Sequence, residues 1–321
     1  MKTPRRILIS PLDWGLGHAS RIIPLINRYL EQGDNVIIAG SGLSLNLLKK
    51  QFPTLQSIEI PSFKMKYSAG KSQVWAVAKA FPKLIYYSIR EHKALKRIVK
   101  EEKIDFVISD NRFGLYHKSV PCAYITHQLM IKLPRGWSFL EGFVAFVHRS
   151  IINKFTECWV PDFKESERSL AGELSHPAKL PRNVKYIEPI SRFASTRVNK
   201  LLTPNLALAI LSGAEPQRTI FEKELLVSLQ NYPHENIILV QGKIEAEQKV
   251  TKVGKVTVYN FMSTEQLQEH ILKADEIICR SGYSSIMDLY ALGKLKNATL
   301  IPTPGQTEQE YLAEYISNHI K

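Results

Sequence analysis

Cysteine is scarce in this chain. Its 321 residues include three, Cys122, Cys158 and Cys279. They lie far apart without paired or metal-type spacing, so neither a disulfide framework nor a zinc site is indicated. That usage fits a reducing cytoplasm. Long apolar runs are missing too, and no window reaches the roughly 20 residues that a membrane-spanning helix needs. The opening MKTPRRILIS is basic, but its apolar run is only Ile7 to Ile9, too short for the hydrophobic region of a signal peptide. The expectation is a cytoplasmic chain, soluble or peripheral to the inner face of a membrane. Low-complexity tracts and short repeats are absent, as are zinc-finger, RNA-recognition and basic-zipper signatures.

Acidic residues are outnumbered, 30 against 43 Lys and Arg, for a net charge of +13. The imbalance is confined to one half: residues 1 to 192 hold 30 basic and 16 acidic side chains, and the remainder is nearly neutral. It peaks in residues 64 to 103, where 11 basic and 3 acidic residues are interleaved with Trp75, Phe81, Leu84, Ile85, Tyr86 and Tyr87. Such a stripe suits an anionic membrane surface or an acidic ligand. A solvated basic helix explains it equally well, because charge governs association rather than fold.

Apolar runs suited to buried parallel strands alternate with segments of helical period along the whole chain, the pattern of βαβ units. Strands are expected near 6–10, 35–39, 55–60, 104–109, 121–126, 156–160 and 184–190. Ile22, Leu25, Ile26, Tyr29 and Leu30 trace one face of a first helix. The polar SRFASTRVNKLLTPN, 191 to 205, reads as a linker. A second series follows: strands in LALAILS, IILVQ, KVTVYNF, EIICRS and ATLIP, with helices between. Ser263 with Gln266, and Thr307 with Glu310, have the spacing of capping boxes. The expected fold is α/β: two Rossmann-like domains, 1–190 and 205–321, with open parallel sheets in tandem, joined by the linker 191–204 and facing across a cleft.

In the second half, Cys279 closes an apolar strand and RSGYSSIMDLYALGK opens a helix through a glycine turn. Helix N-termini present unpaired N–H groups and a positive dipole end, which favours a phosphate. Arg280, Ser281, Gly282, Tyr283 and Ser284 would form that cradle, and Asp288, about a turn further on, could accept two ribose hydroxyls. LSGAEPQRT adds Ser212, Gly213 and Arg218 beside the diphosphate position. IPTPGQTEQEY adds Gln306, Gln309 and Glu310, suited to sugar hydroxyls.

The series SGAEPQR, NFMSTEQLQEHILKADEIICRSGYSSIMDLYALGK and PTPGQTEQEYLAEYI resembles the donor-binding half of GT-B glycosyltransferases of the family 28 type. These are relatives of the enzyme that adds N-acetylglucosamine to the lipid-linked peptidoglycan precursor. The resemblance covers most of the chain, strongly from 205 to 315. It implies that Arg280, Ser281 and Gly282 hold the diphosphate, that Asp288 binds ribose, and that Gln309 and Glu310 read the donor sugar. The family has a glutamine where Glu310 stands, which leaves the sugar open. Phe261 falls in the loop expected against the uracil. A final helix returning to the first domain is also implied, and the chain stops soon after YLAEYISNHI.

The same resemblance assigns a role to GLGH near the N-terminus, where a Gly-rich turn carries a catalytic or acceptor-binding histidine. Gly15 and Gly17 would allow close backbone approach and His18 would act as the base. The turn departs from the GxGxxG dinucleotide fingerprint, and no acidic residue ends the second strand, so a nicotinamide enzyme is disfavoured. Asp110 and His127 each end an expected strand: Asp110 is read as the orienting or alternative base, His127 as part of the acceptor site. An inverting transfer needs a base for the acceptor hydroxyl, worth about 10² to 10⁴ in rate. No Asp-x-Asp triplet occurs, so no metal or other cofactor is indicated. The nucleotide sugar is a substrate, and Arg218, Arg280 and the helix dipole would neutralise its diphosphate.

The reading is therefore a glycosyltransferase moving a sugar from a nucleotide diphosphate donor, UDP-linked by resemblance, to a lipid-linked or membrane-presented acceptor. WSFLEGFVAFVHRSIINKF, 137 to 155, concentrates apolar residues that fit either a membrane patch or a buried helix. A sugar-nucleotide hydrolase or 2-epimerase of the same fold is the nearest alternative. A non-catalytic basic binder of nucleic acid or anionic lipid is the third, although no nucleic-acid partner is expected.

Overall fold

The computed structural model describes residues 3–63, 74–193, 205–243 and 245–320. The chain divides into two compact units, the first ending at Ile190 and the second taking up the chain from Ser191. Of the expected linker, 194–204 lies outside the described residues, as does 64–73 of the basic stretch.

The first unit runs β1 (Arg6–Pro11), α1 (Leu16–Glu31), β2 (Asn35–Gly40), α2 (Gly42–Gln51), β3 (Ser57–Glu59), α3 (Val74–Glu101), β4 (Phe106–Asp110) and β5 (Cys122–Ile125). A 3-10 segment, Arg135–Leu140, leads into α4 (Glu141–Ile152), followed by β6 (Glu157–Val160) and β7 (Val184–Tyr186). Among the described residues the strands form one parallel sheet in the order β3-β2-β1-β4-β5-β6-β7. Alternation along each strand divides the core in two. Leu8, Ile37, Val107 and Tyr124 pack on one face, while Ile7, Ile9, Ile38, Ile108 and Ile125 pack on the other with Ile22 and Ile26 of α1. Both faces are covered, which is why these strands read as unbroken apolar runs. Pro24 sits inside α1, a position that costs about 3 kcal/mol in a helix interior. Burial of the neighbouring Ile22, Ile23, Leu25 and Ile26, at about 1.5–3 kcal/mol per side chain, outweighs it.

β7 is shorter than the expected strand over 184–190. Glu188 turns the chain at φ 60, a left-handed conformation, and Pro189 follows with no N–H to donate.

The second unit runs β8 (Leu206–Ile210), α5 (Gln217–Ser228), β9 (Asn236–Val240), β10 (Val250–Val253), β11 (Val256–Tyr259), α6 (Thr264–Lys273), β12 (Glu276–Arg280), α7 (Tyr283–Ala291), β13 (Ala298–Ile301) and α8 (Thr307–His319). Its sheet has the order β10-β11-β9-β8-β12-β13. The expectation of a wholly parallel sheet needs correction, because β10 pairs antiparallel with β11. Gly254, at φ 58, makes the tight turn between them. All four residues of β10 are exposed, so this edge strand has no apolar alternation by which to be read.

Ser263 caps α6 as expected, its hydroxyl accepting from the Gln266 amide while the Gln266 side chain returns to the Ser263 amide. The second expected capping box does not form. Gln306 precedes α8 without a side-chain cap, and Thr307 is already helical. The Glu310 side chain instead accepts from the Gly305 amide at 2.9 Å. Among the described residues no helix is long and apolar enough to cross a membrane.

Candidate active site

In each sheet the chain leaves its first strand in both lateral directions, and the carboxyl ends of the two diverging strands leave a crevice suited to ligands. In the first unit that point lies between β1 and β4, where Pro11 is level with Asp110. The turn after β1 reaches α1 through Gly15, whose φ of 137 is open to glycine but strained for other residues. Gly17 lies in the first turn of α1, its carbonyl accepting from the Ser20 hydroxyl at 3.1 Å.

His18 follows, and the fold brings it to Asp110 across 92 residues: Nδ1 stands 3.2 Å from Asp110 Oδ2. The His18 side chain is 20% exposed and that of Asp110 is fully buried. A third group, not anticipated, completes the cluster. Arg21, 2% exposed at its side chain, donates from Nε to Asp110 Oδ2 at 2.9 Å and from Nη2 to Oδ1. Its Nη2 also stands 2.9 Å from His18 Nδ1. Burial alone would raise the Asp110 pKa, but the charges and hydrogen bonds of Arg21 and His18 outweigh it and bring it down to about 2. A carboxylate this acidic and enclosed is a poor proton acceptor, so the geometry favours the orienting role for Asp110 over that of alternative base.

Two further contacts fix the turn. Asp13 accepts the Ser44 amide at 3.1 Å, doing for α2 what its own Ser41 does not. The Ser44 hydroxyl in turn donates to the Leu12 carbonyl at 3.0 Å. Beyond Asp110, Asn111 adopts φ 55, and the buried Arg112 binds Glu91 Oε1 at 3.1 Å, Ser10 Oγ at 3.2 Å and the Pro61 carbonyl at 2.9 Å. His127 ends two residues past β5 and is 4% exposed. Nearly all of its surface is covered by protein, so little of it is open to the acceptor site expected there.

In the second unit the strands diverge at β8, with β9 on one side and β12 on the other. The loops after β8, β12 and β13 therefore share one sheet edge, where Ser212, Gly213, Gly282, Ser284 and Gln306 lie. Gly213 takes φ 99, and neither it nor Gly282 has an atom within 4 Å of where a Cβ would stand. Gly282 precedes the first turn of α7 and supplies no side-chain cap.

Several side chains expected on the ligand turn inward. Arg280, 3% exposed, donates from Nη1 to the Pro302 carbonyl at 2.7 Å and lies 3.7 Å above the Phe221 ring. Burial lowers its pKa, with Glu224 opposing. Arg218 donates to the Gln241 carbonyl at 2.7 Å and pairs with Glu215. Ser281 is buried and donates to the Gln309 carbonyl at 2.8 Å, and Tyr283 is 2% exposed. The two arginines expected to neutralise a diphosphate thus brace the loops. Gln309 accepts the Thr303 amide at 2.8 Å, so it and Glu310 hold the β13–α8 turn. Phe261, half-buried between β11 and α6, accepts at its carbonyl from Gln248 at 2.8 Å.

Asp288 accepts from Ser191 at 2.7 Å and stands 3.3 Å from Arg192 Nε. Burial raises its pKa against these partners. Ser191 and Arg192 read in sequence as linker, and only the fold returns them to α7.

Comparison with known proteins agrees with this architecture. Residues 209–321 match the glycosyltransferase family 28 C-terminal domain. An uncharacterized glycosyltransferase of Methanosarcina acetivorans is 26% identical over 322 residues, covering 95% of this chain and 81% of that protein. The UDP-N-acetylglucosamine–N-acetylmuramyl-(pentapeptide) pyrophosphoryl-undecaprenol N-acetylglucosamine transferase of a Sulfurihydrogenibium species is 22% identical, covering 98% of this chain and 83% of that protein. Among solved structures, the glycosyltransferase SnogD from Streptomyces nogalater superposes with a TM-score of 0.61 at 15% identity, covering 98% of this chain and 86% of that one. MurG of Acinetobacter baumannii superposes at 0.52 with 12% identity, covering 98% and 84%. The protein is a glycosyltransferase of the GT-B fold. Within that class, its second unit carries the C-terminal domain of family 28.

Proposed function

We propose that the enzyme transfers a sugar from a UDP-linked donor to a lipid-linked or membrane-presented acceptor, with inversion and without a metal. The observation that carries this reading is the His18–Asp110 contact at the β1–β4 crevice. An Nδ1–H donated to Asp110 leaves Nε2 unprotonated as the base. Nε2 takes the proton of the acceptor hydroxyl while its oxygen bonds to the sugar's anomeric carbon. The bond from that carbon to the diphosphate breaks, and its electron pair leaves with the nucleotide.

The second unit binds the donor. Ser212, Gly213, Gly282, Ser284 and the first-turn amides of α7 receive the diphosphate, and the helix dipole offsets its charge. Asp288 takes the ribose by exchanging Ser191 for the hydroxyls, Phe261 lies against the base, and the turn held by Gln309 and Glu310 presents Gln306 to the sugar. The lack of an Asp-x-Asp triplet supports metal independence. The Sulfurihydrogenibium relative is named for a UDP-N-acetylglucosamine donor and a pyrophosphoryl-undecaprenol acceptor, which supports both substrate classes here.

The surface of the first unit supports a membrane-presented acceptor. Of the residues in α4, only His148 and Ile152 are buried, while Phe139 is 77% exposed and Phe143 67%. A buried helix does not fit that arrangement. α3 adds exposed Ile85, Tyr86 and Ile89 on a helix that also carries Arg90, Lys93, Lys96, Arg97 and Lys100. Apolar side chains beside cations suit an anionic bilayer surface.

Calorimetric titration with uridine, thymidine and guanosine diphosphate sugars, each with and without EDTA, tests the donor. Uridine-series binding and EDTA-resistant transfer are expected; binding confined to another nucleotide, or transfer lost with EDTA, would overturn that part of the proposal.

A further inference from the structure

The contacts made to Asp288 come from two adjacent residues. Ser191 donates its hydroxyl to Oδ1 at 2.7 Å, Arg192 donates its backbone amide to the same carboxylate, and the Arg192 guanidinium stands 3.3 Å from Oδ2. The segment also holds itself in this form. The Ser191 hydroxyl accepts from the Phe193 amide at 3.1 Å, and the Arg192 guanidinium lies 5.0 Å from the centre of the Phe193 ring. Phe193 is 5% exposed, and the Asp288 side chain 12%.

A hydroxyl and an N–H from neighbouring residues are two neutral donors converging on one carboxylate. The vicinal hydroxyls of a ribose present the same pattern. A carboxylate this enclosed is costly to leave without donors, and the chain supplies them from its own residues. A nucleotide that uses Asp288 therefore meets a site already filled.

We propose that Ser191–Arg192 is an internal stand-in for the ribose: it closes the donor site of the free enzyme, and donor binding exchanges it for the two hydroxyls and frees residues 191–193 from α7. This rests on Asp288 as the ribose ligand of the proposed donor site. Apparent donor affinity is then lowered by the fraction of molecules that are closed. Ser191 directly follows Ile190, where the first unit ends, so occupancy of the donor site is passed to the stretch of chain that joins the two units.

The first test is hydrogen exchange on the full-length wild type, resolved to single amides, with and without saturating UDP. A bound ligand ordinarily slows exchange. Here the Arg192 and Phe193 amides both lose their acceptors, and each should exchange about tenfold faster with UDP bound. The second test is calorimetric titration with UDP. Ser191→Ala removes the stand-in hydroxyl and should tighten binding by about tenfold, whereas Ser191→Thr keeps a hydroxyl and should return the affinity to that of wild type.

Exchange at both amides that is unchanged or slowed by UDP would overturn the proposal, and wild type alone decides this if Ser191→Ala does not fold. A Ser191→Ala affinity within about twofold of wild type would overturn it as well. Asp288→Ala separates the two readings. If that variant binds UDP as wild type does, or if UDP binds neither wild type nor Ser191→Ala, the ribose assignment fails and the stand-in with it. If UDP binding is lost in Asp288→Ala while exchange and the Ser191→Ala affinity stay unmoved, the ribose site stands and the stand-in alone is rejected.

Discussion

Ser191 and Asp288 are 97 residues apart in sequence, and the Ser191 hydroxyl donates to Asp288 Oδ1 at 2.7 Å. The contact fastens the start of the segment Ser191–Lys321 to α7 within the second unit. It also occupies the carboxylate proposed to bind ribose, so nucleotide binding must exchange one hydroxyl for another. Ser191→Ala removes a donor from a buried carboxylate, at a cost of about 1.5–3 kcal/mol for a charged hydrogen bond. Urea unfolding of the variant should show that loss. A change below about 0.5 kcal/mol, the range of surface substitutions, would mean that the bond contributes nothing.

Gly114 presents a different constraint. A Cβ added there would lie 2.2 Å from the Ser88 carbonyl oxygen and 2.6 Å from the Glu91 Cβ, contacts that only a backbone shift can relieve. Its amide meanwhile donates to Glu91 Oε2 at 3.2 Å, which holds the Arg112 network behind Asp110. Gly114→Ala should destabilise by about 1–3 kcal/mol through overpacking and lower the transfer rate by disturbing the β4–β5 turn. A variant with wild-type thermal midpoint and rate would contradict this.

How much of this could be read in the sequence depends on the kind of information required. Strands such as Ile7–Ile9 and Val107–Ser109 are covered on both faces, so their composition alone announces them, and residues ending them fall at the crevice by topology. His18 and Asp110 were accessible in that way. β10 was not, because an exposed edge strand carries no apolar signature. Arg21 sits among Ile22, Ile23 and Leu25, where a lone arginine reads as a solvated interruption; its burial depends on a carboxylate supplied from β4. Arg280 and Arg218 mark the limit from the other side. Their loops were correctly located at the sheet edge, but side-chain direction is settled by tertiary partners, the Pro302 carbonyl and Phe221 ring for one and Gln241 with Glu215 for the other.

The exposed aromatics make a prediction that separates function from stability. Phe139 and Phe143 give up little packing when shortened, because most of each side chain already faces solvent. The double variant Phe139→Ser/Phe143→Ser should unfold within about 0.5 kcal/mol of wild type per site. Flotation on vesicles containing anionic lipid should nevertheless be lost at low salt. Wild type that fails to float would sink the membrane-surface reading, and a double variant that floats as well as wild type would remove these two residues from it.

His148 and Asp110 should give the first unit two separate acid transitions. His148 is buried against the rings of Phe113 and Tyr124, and burial pushes its pKa down to about 4, with the Leu129 backbone opposing. The unfolded chain protonates this group near its ordinary 6.5, so the unfolded state binds more protons between the two values. Stability is therefore full above about pH 6.5 and lost as pH falls toward 4. Asp110 has the same sign in a lower window, since its pKa falls from 3.8 to about 2: its contribution is present above 3.8 and is lost as pH drops to 2. His148→Leu should flatten the unfolding free energy between pH 6.5 and 4 while leaving the decline below 4 in place. Asp110→Asn should do the reverse, and at neutral pH should cost about 3–5 kcal/mol by leaving Arg21 buried without its partner. Urea unfolding at pH 7, 5 and 3 distinguishes these outcomes, and a His148→Leu variant that still lost stability between 6.5 and 4 as wild type does would assign that transition to another group.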